Sequence, residues 1–386
     1  MDIFPKRKVF CWLAICSLIL VFVIGNLGQI SVQAASPIAP TPPASHIFCD
    51  QTATPRLAEK DGSNPGGNPA TDIARPCPRF TSGNPGTVTD RLTGLVWTRD
   101  ADAADGYMTW QQALDHIKTL NSRNHLGHND WRLPNVNELE SLVNQQADLA
   151  GWFIAQGFFN IRPDYYWTST TYASYCPYAW GVCMYSGMVA GRDKASAGFL
   201  WPVRTGSPGS LLLAQTGQTA CYDKAGAGID CVGAGQDGEL QIGVPWPSPR
   251  FVNNSDETIT DRLSGLIWSR DGRMPGPADC RPSDHKTYQE ALDYIACLNA
   301  KKFLGKDDWR LPDRDEMKSL VSRGQANSSS WLNSSGFQHV QGGGYWTSSA
   351  YFHASWNAWI VNMHDGAMLT MAKKHDISVW PVRTAE

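Results

Sequence analysis

Charge is scarce in this 386-residue chain: only 18% of residues are Asp, Glu, Lys or Arg, where about a quarter is usual. Its 33 basic and 36 acidic residues leave a net charge of −3. That balance excludes a strongly basic nucleic-acid binder and a polyacidic tail protein. Common catalytic motifs are also missing. There is no Gly-x-Ser-x-Gly, no phosphate-binding loop and no His-Glu-x-x-His, so the chain reads as a non-enzyme. No Cys-x-x-Cys occurs either, which argues against a zinc ribbon or a thioredoxin-type redox site. Apolar runs long enough to matter for targeting are confined to the N-terminus.

That N-terminus reads as a secretory signal over residues 1–35. Lys6, Arg7 and Lys8 precede an apolar stretch from Val9 to Ile24, and Val32-Gln33-Ala34 supplies small residues for cleavage. The stretch falls short of the about 20 apolar residues a membrane span needs, so no span is expected after cleavage. The expected address is the periplasm or the cell surface. Eight cysteines then remain: Cys49, Cys77, Cys176, Cys183, Cys221, Cys231, Cys280 and Cys297. An even number after an export signal implies disulfides.

What the chain has in abundance is Gly (35), Pro (24) and Trp (16), the composition of a loop-rich fold stapled by aromatic residues. Its organisation comes from an internal repeat. Asp90-Arg-Leu-Thr-Gly-Leu-Val-Trp97 returns as Asp261-Arg-Leu-Ser-Gly-Leu-Ile-Trp268. Asp130-Trp-Arg-Leu-Pro134 returns as Asp308-Trp-Arg-Leu-Pro312, Tyr166-Trp-Thr-Ser169 as Tyr345-Trp-Thr-Ser348, and Trp201-Pro-Val-Arg204 as Trp380-Pro-Val-Arg383. A unit this long is a domain rather than a solenoid repeat. The expected division is a Pro/Gly-rich segment over 36–86, a first domain over 87–205, a Gly-rich linker over 206–247 and a second domain over 248–386.

The repeat also constrains the disulfides. Cys176 and Cys183 align with Ser355 and Asn362, and Cys280 and Cys297 have no cysteine counterparts in copy one. Cysteines that come and go together are expected to pair together, giving Cys176–Cys183 and Cys280–Cys297. Proximity suggests Cys221–Cys231 and Cys49–Cys77, although these four allow three connectivities.

Within one copy, short strands surround a Thr-Gly turn before Trp97. A helix follows, with Trp110, Ala113, Leu114, Ile117 and Leu120 on one face. Trp131-Arg-Leu-Pro134 leads into a second helix, where Asn135 with Glu138 makes a capping box, as Asp313 does with Glu316. Aromatic strands come next. This order implies an α+β domain with an antiparallel sheet.

The succession D-x-L-T-G-L-x-W, T-W-x-x-A-L, D-W-R-L-P-x-x-x-E-L, Y-W-T-S and W-P-V-R resembles the C-terminal domain of the Legionella collagen-like adhesin, a domain found in bacterial exported proteins. The resemblance covers both copies. The W-R-L-P-x-x-x-E element is also similar to the formylglycine-generating-enzyme and C-type-lectin-like superfamily. It implies a C-type-lectin-like fold, two helices against a loop-rich antiparallel sheet. It further implies adhesion or recognition of a surface polymer such as an anionic glycan, or of another envelope protein. Two alternatives are a formylglycine-generating-enzyme-like oxidase or accessory protein, which needs a reactive thiol, and a purely structural envelope component.

Candidate ligand residues are aromatic or basic. Trp180, Tyr185 and Trp359 offer flat faces for sugars or cations. Arg192, Lys194, Lys373 and Lys374 lie near strand-connecting loops and could meet sulfate or phosphate. Trp131, Arg132, Pro134 and Glu138, with Trp309, Arg310, Pro312 and Glu316, read as structural: a buried Trp, and an Arg paired with a carboxylate at a helix start. His125, His128 and Asp130 have metal-like spacing, but copy two holds Phe303, Lys306 and Asp308 there, so no metal site is expected of the repeat. No cofactor is expected, with calcium in an Asp/Asn loop the one open possibility.

Overall fold

The computed structural model describes residues 76–83, 86–144, 148–282 and 285–385. The proposed signal segment and Cys49 lie outside them.

Copy one begins with strands β1 (Phe80–Ser82), β2 (Thr87–Asp90) and β3 (Leu95–Thr98). Helix α1 (Trp110–Ser122) follows, opened by a capping box in which the Thr109 hydroxyl accepts from the Gln112 N–H. Its buried face is the one the 3.6-residue spacing marks: Trp110, Ala113, Leu114, Ile117 and Leu120. Short helices α2 (Val136–Glu140) and α3 (Leu149–Ala155) come next. Strands β4 (Tyr165–Thr171), β5 (Tyr178–Cys183), β6 (Val189–Asp193) and β7 (Val203–Thr205) complete the copy.

The segment between the copies carries a small hairpin, β8 (Cys221–Tyr222) with β9 (Gly228–Ile229), closed by the Cys221–Cys231 disulfide, and a single-turn helix α4 (Asp237–Leu240). Copy two repeats the order with β10 (Phe251–Asn253), β11 (Thr258–Asp261), β12 (Leu266–Ser269), α5 (Tyr288–Ala300), α6 (Arg314–Ser319), α7 (Ser328–Ser334), β13 (Gly344–Ala350), β14 (Asn357–Asn362), β15 (Met368–Ala372) and β16 (Val382–Thr384). The Cys280–Cys297 disulfide ties the loop before α5 to that helix.

Each copy closes its ends on itself. β1-β2-β3-β7 form one antiparallel sheet and β10-β11-β12-β16 the other. The sheet thus brings the start of each copy beside its Trp-Pro-Val-Arg end. There Trp97 meets Trp201 edge-on at 5.5 Å, as Trp268 meets Trp380 at 5.4 Å. These aromatic pairs replace the long helices that such short elements could not supply.

The third sheet joins the copies. Its order is β13-β14-β15-β6-β5-β4, all antiparallel, with Met368 of β15 opposite Val189 of β6. A continuous apolar core runs through both copies, including Trp180 and Val189 from one and Val321, Trp359 and Met368 from the other. Smaller clusters lie under α1 and under α5. The two copies are therefore one folded body and not modules on a flexible tether. Among the described residues, no helix is long and apolar enough to cross a membrane.

The structure corrects one expected disulfide. Cys176 and Cys183 are both free thiols, the second fully buried. Cys183 pairs with Tyr165 at one end of β5, while Cys176 precedes the other end. The strand between them spans roughly 16 Å, against the about 7 Å that a disulfide bridges between Cα atoms. Cys77 is disulfide-bonded.

Candidate functional site

The repeated Trp-Arg-Leu-Pro junction is built as a bracket. Trp131 and Trp309 are each 2% exposed, and their indole N–H groups donate to the His125 and Phe303 carbonyls at 2.8 Å. The Arg132 guanidinium donates twice to Glu138, at 2.6 and 2.7 Å, and Arg310 does the same to Glu316. Glu138 also accepts from the Asn135 backbone N–H at 2.8 Å. One carboxylate thus caps a helix and anchors an arginine; Pro134 and Pro312 set the chain into that cap. Arg204 pairs with Asp130 at 2.7 Å and Arg383 with Asp308 at 2.8 Å. His125 and His128 pack edge-on against Trp131. Among the described residues no group of three His, Cys, Asp or Glu side chains is placed to hold a metal.

The basic residues expected to meet an anion do not come together. Lys194 is 1% exposed: its ammonium donates to the Tyr222 and Asp223 carbonyls and lies 4.0 Å from the Trp110 ring centre. Burial pulls its pKa down to about 8. Arg192 stacks over Tyr165 at 4.3 Å and donates to the Ala197 carbonyl. Lys373 lies 5.0 Å from the Tyr288 ring, and Lys374 is exposed. Because β6 and β15 run antiparallel, these two groups of cations sit toward opposite ends of the pair.

Trp180 and Trp359 are also corrected as ligand platforms, since each is 1% exposed. Arginines cover them. Arg323 lies 4.1 Å over Trp180 and Arg314 lies 4.4 Å over Trp359. Both arginines belong to copy two and both span the seam. Arg314 donates to the Gly187 carbonyl of copy one at 3.0 Å, and Arg323 to the Gly366 carbonyl at 2.8 Å. Buried Glu140 of copy one pairs with Arg314 at 3.0 Å and with Lys318 at 3.4 Å. Glu140 and Lys318 occupy equivalent places in the two copies, two residues after Glu138 and Glu316. Identical copies would set like charges against each other there; divergence has made an ion pair.

The two ends of this seam differ. At one, the Tyr172 hydroxyl donates to Asp365 at 2.7 Å and Ser174 to the Ala326 carbonyl. Burial, with Asp365 beside it, raises the Tyr172 pKa. The linker lies over this end: Gln218 bonds both backbone groups of Thr171 at 2.8 Å, and the Arg323 N–H donates to the Thr216 carbonyl.

The other end is a shallow, open groove. Copy one lines it with Val143, Asn144, Leu149, Tyr185 and Ser186, copy two with Tyr351, Phe352, His353 and Trp359. Tyr185 is 51% exposed and Phe352 52%. The His353 ring stacks on Tyr185 at 4.8 Å, and its Nε2 donates to the Tyr185 carbonyl at 2.8 Å. Of the aromatic residues named from the sequence, Tyr185 is the one the structure presents to solvent in a concave site. Phe352 and His353 were missed because copy one has Ala173 and Ser174 in their places. A search for residues shared by the copies passes over them, whereas their departure next to the retained Tyr351 is the signal that marks them.

A larger cavity beside the Cys280–Cys297 disulfide is lined by Asp279, Arg281, Lys286, Glu290 and Asp293. Its charges answer one another: Lys301 pairs with Asp279, and Arg281 with Glu290. Lys286 donates to the Arg281 carbonyl, and Asp293 accepts from Gln289.

No curated protein matches the chain. The family of the Lcl C-terminal domain matches it twice, over residues 86–204 and 257–383, so the repeat and the fold it builds identify the chain as a member of that family, with two copies of the domain in tandem.

Proposed function

We propose that the protein is an exported, non-enzymatic binding protein of adhesin type that recognises a surface polysaccharide through the groove at the open end of the seam. Family membership supports the adhesin class. The disulfides fit an oxidising compartment outside the cytosol. On this reading each copy is a C-type-lectin-like domain, and the ligand sits between the two copies. The observation that carries the reading is the half-exposed Tyr185 and Phe352 flanking His353 in a concave site. Aromatic residues exposed together on a rigid scaffold mark binding surfaces.

Residues 36–386, oxidised, are to be screened against a polysaccharide panel beside Tyr185→Ala and Phe352→Ala. Saturable binding lost in both variants, with unchanged thermal midpoints, is the expected result. Binding indifferent to both substitutions would refute the groove.

The oxidase reading draws on the free Cys176, which lies beside the Tyr222 hydroxyl and the Lys194 ammonium. It requires a reactive thiol in the native state. If a thiol reagent leaves native Cys176 untouched, that reading ends.

A further inference from the structure

We infer that the groove takes an uncharged sugar unit, not the sulfate- or phosphate-bearing one that the basic residues of the sequence suggest. The inference rests on the proposed function and specifies its ligand.

Anion recognition is strongest where a cation is free to face the ligand. Among the described residues, none that lines the groove is Lys, Arg, Asp or Glu. Its titratable ring, His353, has Nε2 committed to the Tyr185 carbonyl and is stacked as a flat surface on Tyr185. Arg314 lies behind Trp359, buried, and its charge is met at 3.0 Å by Glu140. The other candidate cations lie elsewhere. Lys194 is buried under the linker hairpin, Arg192 lies over Tyr165, and Lys373 and Lys374 stand at the far end of β15.

What the groove does offer suits a neutral pyranose. Tyr185 and Phe352 are half-exposed rings that can stack on its C–H face. Ser186 adds a hydroxyl to the same lining for a sugar hydroxyl. A carboxylated or sulfated unit would be desolvated there with no countercharge, which is costly.

The test measures binding of the intact chain to neutral gluco-, manno- and galacto-oligosaccharides and to heparin, at low and high salt. The expected result is a neutral oligosaccharide whose affinity does not change with salt. Phe352→Ala and Tyr185→Ala are expected to weaken it about tenfold or more. Phe352→Trp retains a ring and is expected to retain binding, while Arg192→Gln and Lys374→Gln leave it unchanged. Heparin binding that needs Tyr185 and Phe352, with no neutral ligand bound, overturns the inference and leaves the groove standing. Binding of either class that ignores Tyr185 and Phe352 overturns both.

Discussion

At one end of the seam Tyr172 is bonded to Asp365 and Arg323 lies over Trp180; at the other, the equivalent Tyr351 and Trp359 border an open groove. Both ends descend from the same repeated motif, so the motif alone decides neither. What differs is what each copy adds around it. Copy two supplies Arg323 and Asp365, which close the first end, and the linker then packs over them. Copy one has Gln145 and Ser186 at those two places, and no linker residue lines the groove. Where a repeat folds back on itself, retained residues build the frame and diverged ones decide which face stays available.

The largest expected effect breaks the seam beneath both ends. Glu140→Gln leaves the buried Arg314 without its countercharge and Lys318 with Asp315 alone, and a loss of about 3–5 kcal/mol in denaturant unfolding is expected. Exchanging the pair, Glu140→Lys with Lys318→Glu, recovers part of the loss only, because Arg314 still faces position 140. Full recovery would show that Arg314 adds nothing to the pair.

A second effect belongs to the linker-covered end. Asp237 is 1% exposed and accepts from the Thr170 and Thr216 hydroxyls, each at 2.7 Å. Burial pushes its pKa up to about 6, above the ordinary 3.8. Folding therefore favours the protonated acid. Its contribution is complete below about pH 4 and is lost as pH rises through 6, by up to about 3 kcal/mol. Asp237→Asn should remove that loss and gain on the native chain between pH 4 and 7. Parallel unfolding midpoints for the two across that range would contradict the assignment.

Steric closeness gives a third contrast. A Cβ on Gly324 would stand 2.1 Å from the Gly217 carbonyl oxygen of the linker. Gly324→Ala is expected to cost about 1–3 kcal/mol, while copy one has Gln146 at the equivalent place. An unchanged melting temperature would mean the linker is not held against copy two. The smallest stability effects are reserved for the open end. Tyr185→Ala and Phe352→Ala should each shift stability by no more than about 0.5 kcal/mol, as exposed sites do. A loss as large as that of Tyr172→Phe, expected at about 1.5–3 kcal/mol for a hydrogen bond to a carboxylate, would mean that the open end is structural too.

The frame was legible in the sequence. The 3.6-residue pattern marked the buried face of α1, and Asn135 with Glu138 marked the start of α2, because both signals are local. The Cys280–Cys297 pair followed from its presence in one copy alone. The same logic failed for Cys176 and Cys183, since shared absence from copy two carries no distance and a strand intervenes. Strands β6 and β15 escaped notice: they are short, and much of their reason to be strands is each other, across almost half the chain. Trp180 and Trp359 looked available because no local pattern reveals an arginine arriving from a distant element, over Trp180 from the far side of the seam and over Trp359 from the start of α6.

That seam has a consequence for how the chain comes into being. Val189 is made about 180 residues before its partner Met368, a wait of roughly 10–35 s at ordinary rates of synthesis. During it, β6 is an unguarded sheet edge, the kind that recruits other chains. Glu140 then has neither Arg314 nor Lys318, and its bare carboxylate keeps water on the waiting face.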